Sequence, residues 1–192
     1  MMMNFLRVLT LGLVILTFSS YSFAEDSAVA ETPLTKLEKA TVEITKDLDE
    51  NQAKQFATIS NSFGIIRTVE DVQQSITRAV ASCSKANPDI KEPLSNRFEV
   101  WKEAVRPVMG KARSKMDKMI AMQGFAEASA VRAYLKKYEA AVIYRNQKIK
   151  PVPIEKLEDC QKLQTNMDST QTNLVNLITE TLSLNSDLKV KE

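Results

Sequence analysis

The chain has 192 residues, with 26 basic and 24 acidic side chains, two cysteines, four glycines and no histidine. Without histidine there is no Ser-His or Cys-His nucleophile pair, no histidine-ligated metal centre and no covalent haem attachment, and the commonest general acid/base is missing. So few glycines suit neither a sheet-rich fold nor a phosphate-cradling loop, and a net charge of +2 gives no long-range field for nucleic acid.

Arg7 precedes an apolar run from Val8 to Phe18, and a short polar stretch then ends in Ser22-Phe23-Ala24. This is the charged, apolar and small-residue order of a secretory signal. The run is shorter than the roughly 20 apolar residues that cross a bilayer. The expectation is a periplasmic or secreted protein with residues 1–24 removed by cleavage after Ala24 and no stable membrane span left. Residues 25–32 are small and polar and read as a flexible leader, followed by a single helical domain over residues 33–188.

Thr32 and Pro33 have the residue types of an N-cap and a first helical position. From there a 3/4 apolar stripe runs through Leu34, Leu37, Ile44, Leu48, Ile59, Phe63, Ile66, Val69, Ile76, Val80 and Cys83, which predicts one long amino-terminal helix. Gln52 and Gln55 interrupt the stripe, and weak spots lie near Asn51 and Asn61. Ala86-Asn87-Pro88-Asp89 ends it.

A second helix is predicted over Pro93 to Gln123, with Leu94, Phe98, Trp101, Val105, Val108, Ala112, Met116 and Met119 as its apolar stripe. Pro107 removes a backbone donor inside it, so a kink is expected just before that residue. Gly124 separates this helix from a third, over Glu127 to Gln147, striped by Val131, Tyr134, Tyr138 and Val142. Pro151-Val152-Pro153 terminates it. The fourth helix is placed from Ile154 to Leu188. There Gln164-Thr165-Asn166-Met167 recurs as Gln171-Thr172-Asn173-Leu174, and a coiled-coil-like seam would run through Leu157, Cys160, Met167, Leu174, Leu177, Ile178 and Leu184.

Two cysteines in an oxidising compartment favour a disulfide between Cys83 and Cys160. That bond needs the end of the first long helix beside the start of the last one, because bonded cysteines have their alpha carbons within about 7 Å. Reversals at Pro88, Gly124 and Pro151 satisfy this, so the fold predicted is all-α, an elongated up-down-up-down four-helix bundle with coiled-coil character. On the register that this bond sets, the last helix is too short to cover residues 34–54. The stripe of Leu34, Leu37, Ile44 and Leu48 then needs another cover, either the helix folding back on itself or a second chain. Residues 25–50 carry eight acids against three bases, and residues 97–118 seven bases against three acids, so attraction between the two is a further possibility.

Four groups carry possible chemistry. Ser82-Cys83-Ser84-Lys85 matches Ser-x-x-Lys, but no Lys-Thr-Gly follows. Glu155, Glu158 and Asp159 are paired carboxylates on a helix surface. Glu38, Glu43, Asp47 and Glu50 are acids without the spacing of a calcium loop. Met109, Met116, Met119 and Met122 read as helix packing rather than a soft-metal site. No catalytic, cofactor-binding or metal-ligating residue is assigned. The function expected is that of an exported, non-enzymatic helical protein acting through protein–protein interaction or as an envelope scaffold. Its partner would be another protein, or a second copy, held through the amino-terminal stripe. The alternatives are a small-ligand or metal-binding bundle with a pocket near Met116, Met119, Tyr134 and Tyr138, and a histidine-free enzyme.

Overall fold

The computed structural model describes residues 31–183. The expected signal, most of the leader and the last residues of the fourth predicted helix, Leu184 to Leu188, lie outside them. Within them are five α-helices and one 3-10 turn, with no strand. They are α1 (Pro33–Thr45), α2 (Glu50–Ala86), α3 (Lys91–Met122), α4 (Ala128–Gln147) and α5 (Leu157–Thr181), with the turn at Pro88–Ile90.

The amino-terminal helix is two helices rather than one. Thr32 caps α1, its hydroxyl accepting from the Thr35 amide at 3.2 Å. The helix stops after Thr45, and Asp49 starts a new one with a reciprocal capping box. The Asp49 carboxylate accepts from the Gln52 amide at 2.9 Å, and the Gln52 side-chain carbonyl accepts from the Asp49 amide at 3.0 Å. A box of this kind satisfies amide donors that a continuous helix would have used internally, and so stabilises the break. It also resets the phase. Phe56 is buried and Gln55 is exposed, so the inward series of α2 runs Phe56, Ile59, Ser62, Ile66, Val69, Ile76, Val80 and Cys83.

α1 folds back and packs against α4. This is the fold-back alternative, with the break a few residues ahead of Asn51. Ala40 is buried, while Leu37, Ile44 and Leu48 pack against the core. Among the described residues no acid of positions 31–50 pairs with a basic side chain of α3. Arg113 meets Glu70 of α2, Arg97 meets Asp168 of α5, and Arg132 of α4 meets Asp117.

α3 buries Leu94, Phe98, Trp101, Val105, Met109, Ala112, Met116 and Ile120. Met109 and Ile120 replace Val108 and Met119 of the predicted stripe, and the latter two lie half-buried at its edge. The buried positions recur every eleven residues, as in Leu94, Val105 and Met116 or Phe98, Met109 and Ile120. That period stays in phase with a nearly straight helix, whereas strict 3/4 counting slips by one residue. The helix continues through Pro107, which is exposed.

Side-chain contacts establish how the helices run. Phe56 meets Tyr134, Phe63 meets Tyr138, Arg67 meets Glu139 and Asp71 meets Asn146, so α4 runs alongside α2 in the same direction. Arg97 pairs with Asp168, and the Lys115 ammonium reaches the Ser183 carbonyl, so α5 runs alongside α3. The Cys83–Cys160 disulfide, with alpha carbons 5.7 Å apart and both residues fully buried, joins the end of α2 to the start of α5. Next to it the Asn87 side-chain amide donates to the Glu155 carbonyl at 2.8 Å. The two copies of the α5 repeat place Met167 and Leu174 on one buried seam, followed by Ile178 and Leu182. Leu157 and Leu177, read from sequence as seam positions, are exposed instead.

The reversal between α3 and α4 is built by Gln123. Its side-chain carbonyl accepts from the Phe125 and Ala126 amides at 2.9 and 3.0 Å, and its amide donates to the Ala126 carbonyl at 2.5 Å. Gly124 has no positive φ, and nothing lies within 4 Å of the place its Cβ would take. The chain turns here because of its neighbour's side chain, not because of glycine.

Candidate functional site: a groove on the α2/α3 hairpin

α2 and α3 form an antiparallel hairpin, with α5 along one side and α4 along the other. α4 is the shorter partner. Its last turn is held where the Asn146 amide donates to the Asp71 carboxylate at 2.8 Å, and the chain then leaves the hairpin at Lys148. Beyond that level the hairpin carries an open groove of about 440 Å³. Thr77, Val80, Ala81, Ser84 and Lys85 of α2 line one wall, and Lys91, Ser95, Phe98 and Glu99 of α3 the other.

The helical repeats show that this groove continues the track of α4. Core positions of α2 recur at multiples of seven residues, as in Ile59, Ile66 and Val80 or Ser62, Val69, Ile76 and Cys83. Two such repeats carry Phe63 to Thr77, Arg67 to Ala81 and Asp71 to Lys85, and all three starting residues touch α4. On α3, two of its eleven-residue repeats lead from Asp117, which pairs with α4, back to Ser95. The face that holds α4 lower down therefore faces solvent here.

The groove is polar at its rim and apolar at its floor. Val80 and Phe98 are largely buried, and the Lys102 ammonium sits 5.0 Å from the centre of the Phe98 ring while pairing with Glu99 at 2.7 Å. The Ser84 hydroxyl is enclosed without a hydrogen-bond partner. Lys85 and Lys91 are exposed and make no ion pair among the described residues. Such a trough offers apolar contact, one hydroxyl without a hydrogen-bond partner and, among the described residues, two cations outside any ion pair.

The residues singled out from sequence are dispersed. The Ser82 hydroxyl is turned back onto the Arg78 and Ala79 carbonyls at 3.2 and 3.1 Å, so the Ser-x-x-Lys match brings no serine to Lys85. Glu158 and Asp159 share Lys162, Glu43 pairs with Lys46, and Glu50 with Lys54. The bond to Glu43, and then its charge, hold the Lys46 ammonium above its ordinary pKa. Among the described residues no three acids or cysteines gather as a metal set. Met109 and Met116 are core residues, whereas Met122 is 83% exposed. Tyr134 and Met116, proposed as pocket walls, are buried in the core, and Tyr138 is occupied by its contact with Phe63. Of the amino-terminal stripe only Leu34 remains largely open, at 45% exposure.

One polar cluster has no counterpart in the sequence reading. Arg67, mostly buried, pairs with Glu70 and Asp71 of its own helix and with Glu139 of α4 at 3.2 Å, while Glu70 also holds Arg113 at 2.7 Å. It ties α2, α3 and α4 together just below the groove. The ion pairs hold the three helices in place, although the Arg67 Nε is enclosed without a hydrogen-bond partner. Comparison of the chain with protein families, with characterised proteins and with solved structures finds no match.

Proposed function

We propose that this is an exported, non-enzymatic helical protein that binds another protein by seating one of the partner's helices in the α2/α3 groove. The observation that carries this reading is that the track occupied by α4 continues past the end of α4, where no other described helix takes its place. Helix-in-groove recognition needs a trough of this kind between two parallel walls, with apolar contacts spaced along it. Export is supported by the layout of residues 7–24 and by the fully buried disulfide, a bond that persists in oxidising compartments. The interaction surface lies on the hairpin rather than on the amino-terminal stripe, most of which packs against the chain's own core.

A photo-crosslinking residue placed at Thr77 or Ser95 in the native envelope tests the reading. A discrete adduct is expected at both positions, none at Thr165 on the exposed face of α5, and loss of the adduct when Ala81→Trp fills the trough. Equal labelling at all three positions, or none at Thr77 and Ser95, overturns it. Fractionation of the producing cell, with sequencing of the mature amino terminus, tests export separately.

A further inference from the structure

The connection between α4 and α5, residues 148–156, is the longest between helices in the described residues, and it gathers exposed apolar side chains. Val152 is 86% exposed, more than any other large apolar residue described, Ile149 is 66% exposed, and Leu157 at the far end is 48% exposed. Arg145, Lys148, Lys150 and Lys156 are interleaved with them, against a single acid, Glu155. The acids that follow on α5, Glu158 and Asp159, are taken up by Lys162.

The segment is held at both ends. The Ile149 amide donates to the Asn146 carbonyl at 3.0 Å, and the Glu155 carbonyl accepts from Asn87 at 2.8 Å. At its base the Lys148 ammonium lies 4.3 Å from the centre of the Tyr144 ring. Pro151 and Pro153 limit the backbone between these anchors. A strap so restrained has less conformational entropy to lose when its apolar tip is buried.

We infer that residues 148–156 dock the protein on an anionic lipid surface, with Ile149 and Val152 entering the interface and Lys148, Lys150 and Lys156 meeting the lipid phosphates. Aliphatic side chains ringed by lysines next to an aromatic residue are the composition of interfacial membrane contacts. A lipid surface fits better than a protein partner because two isolated aliphatic side chains on nine residues fall well short of the roughly 800 Å² per side that a specific protein interface buries. A bilayer demands no matching shape. This surface is separate from the groove, and neither reading depends on the other.

The test places a reporter at the tip. Trp101, the only tryptophan, is fully buried and gives a constant background. Val152→Trp should shift its emission to the blue with vesicles of phosphatidylglycerol and phosphatidylcholine, but not with phosphatidylcholine alone. Thr165→Trp should not respond. Replacing Lys148, Lys150 and Lys156 with glutamine should weaken binding by roughly fivefold per lysine. Because the readout is local to residue 152, contact made elsewhere in the chain does not produce it. No shift at residue 152, the same shift at residue 165, or a shift on uncharged vesicles of equal size overturns the proposal. An unchanged circular dichroism spectrum shows that each variant is folded.

Discussion

The hydroxyl of Tyr138 lies 3.0 Å from the point that a Cβ on Gly64 would occupy. α2 and α4 approach closely at this level, where Phe63 also meets the Tyr138 ring edge-on at 5.5 Å. Glycine inside a helix costs up to about 1 kcal/mol relative to alanine, so its presence here reflects space rather than propensity.

Gly64→Ala is therefore expected to stabilise the protein by about 1 kcal/mol only in the Tyr138→Phe background, where the obstructing oxygen is gone. In the wild-type background the same change should gain less, by a coupling of about 0.5 kcal/mol or more. Urea unfolding of the two single variants and the double variant measures this. Additive effects would show that the hydroxyl does not limit the space.

At the reversal between α3 and α4, Gln123→Ala should cost about 1–3 kcal/mol, because it strands the Phe125 and Ala126 amides that its side chain satisfies. Gly124→Ala should be neutral or stabilise by about 0.5 kcal/mol through reduced freedom of the unfolded chain. Thermal unfolding of both variants is the check, and the reverse ranking would return the turn to glycine.

Asp49→Ala should destabilise the protein by about 1 kcal/mol, since the capping box that separates α1 from α2 loses its acceptor. Hydrogen exchange should show the loss concentrated in the first turn of α2. Protection of the Gln52 amide unchanged from wild type would contradict the box.

Joining Cys83 to Cys160 closes a loop with a sequence separation of 77. Replacing both with alanine should lower stability by about 2–5 kcal/mol. Because both cysteines are fully buried, the native protein should resist alkylation until it is reduced under denaturing conditions. Mass spectrometry of the intact chain reads this directly, and alkylation of the native, unreduced protein would exclude the bond.

Much of the fold was legible because burial imposes periodicity. The stripe Ile59, Ile66, Val69, Ile76, Val80 and Cys83 was visible on sight, as were the Met167 and Leu174 pair and the cysteine partners. What was misread has a shared cause: counting in threes and fours absorbs a change of phase. Gln52 looked like a defect in one long stripe, although Asp49-x-x-Gln52 has the residue types of a capping box and was the signal available. In α3 the eleven-residue period moved two positions by one residue each. The groove was not legible at all. It exists because α4 stops at Gln147 beside Asp71, and that level depends on how two helices far apart in sequence align.

The packing of α1 on α4 has a consequence for the order in which the protein can assemble. Synthesis proceeds from the amino terminus, so the apolar face of Leu37, Ile44 and Leu48 exists before α2, α3 and the Gln123 turn have been made. Its cover is among the last helices to appear. A contact so distant along the chain forms slowly, and α1 can dock only once α4 is present. Until then residues 34–48 are the stretch of the young chain most in need of protection from other apolar surfaces.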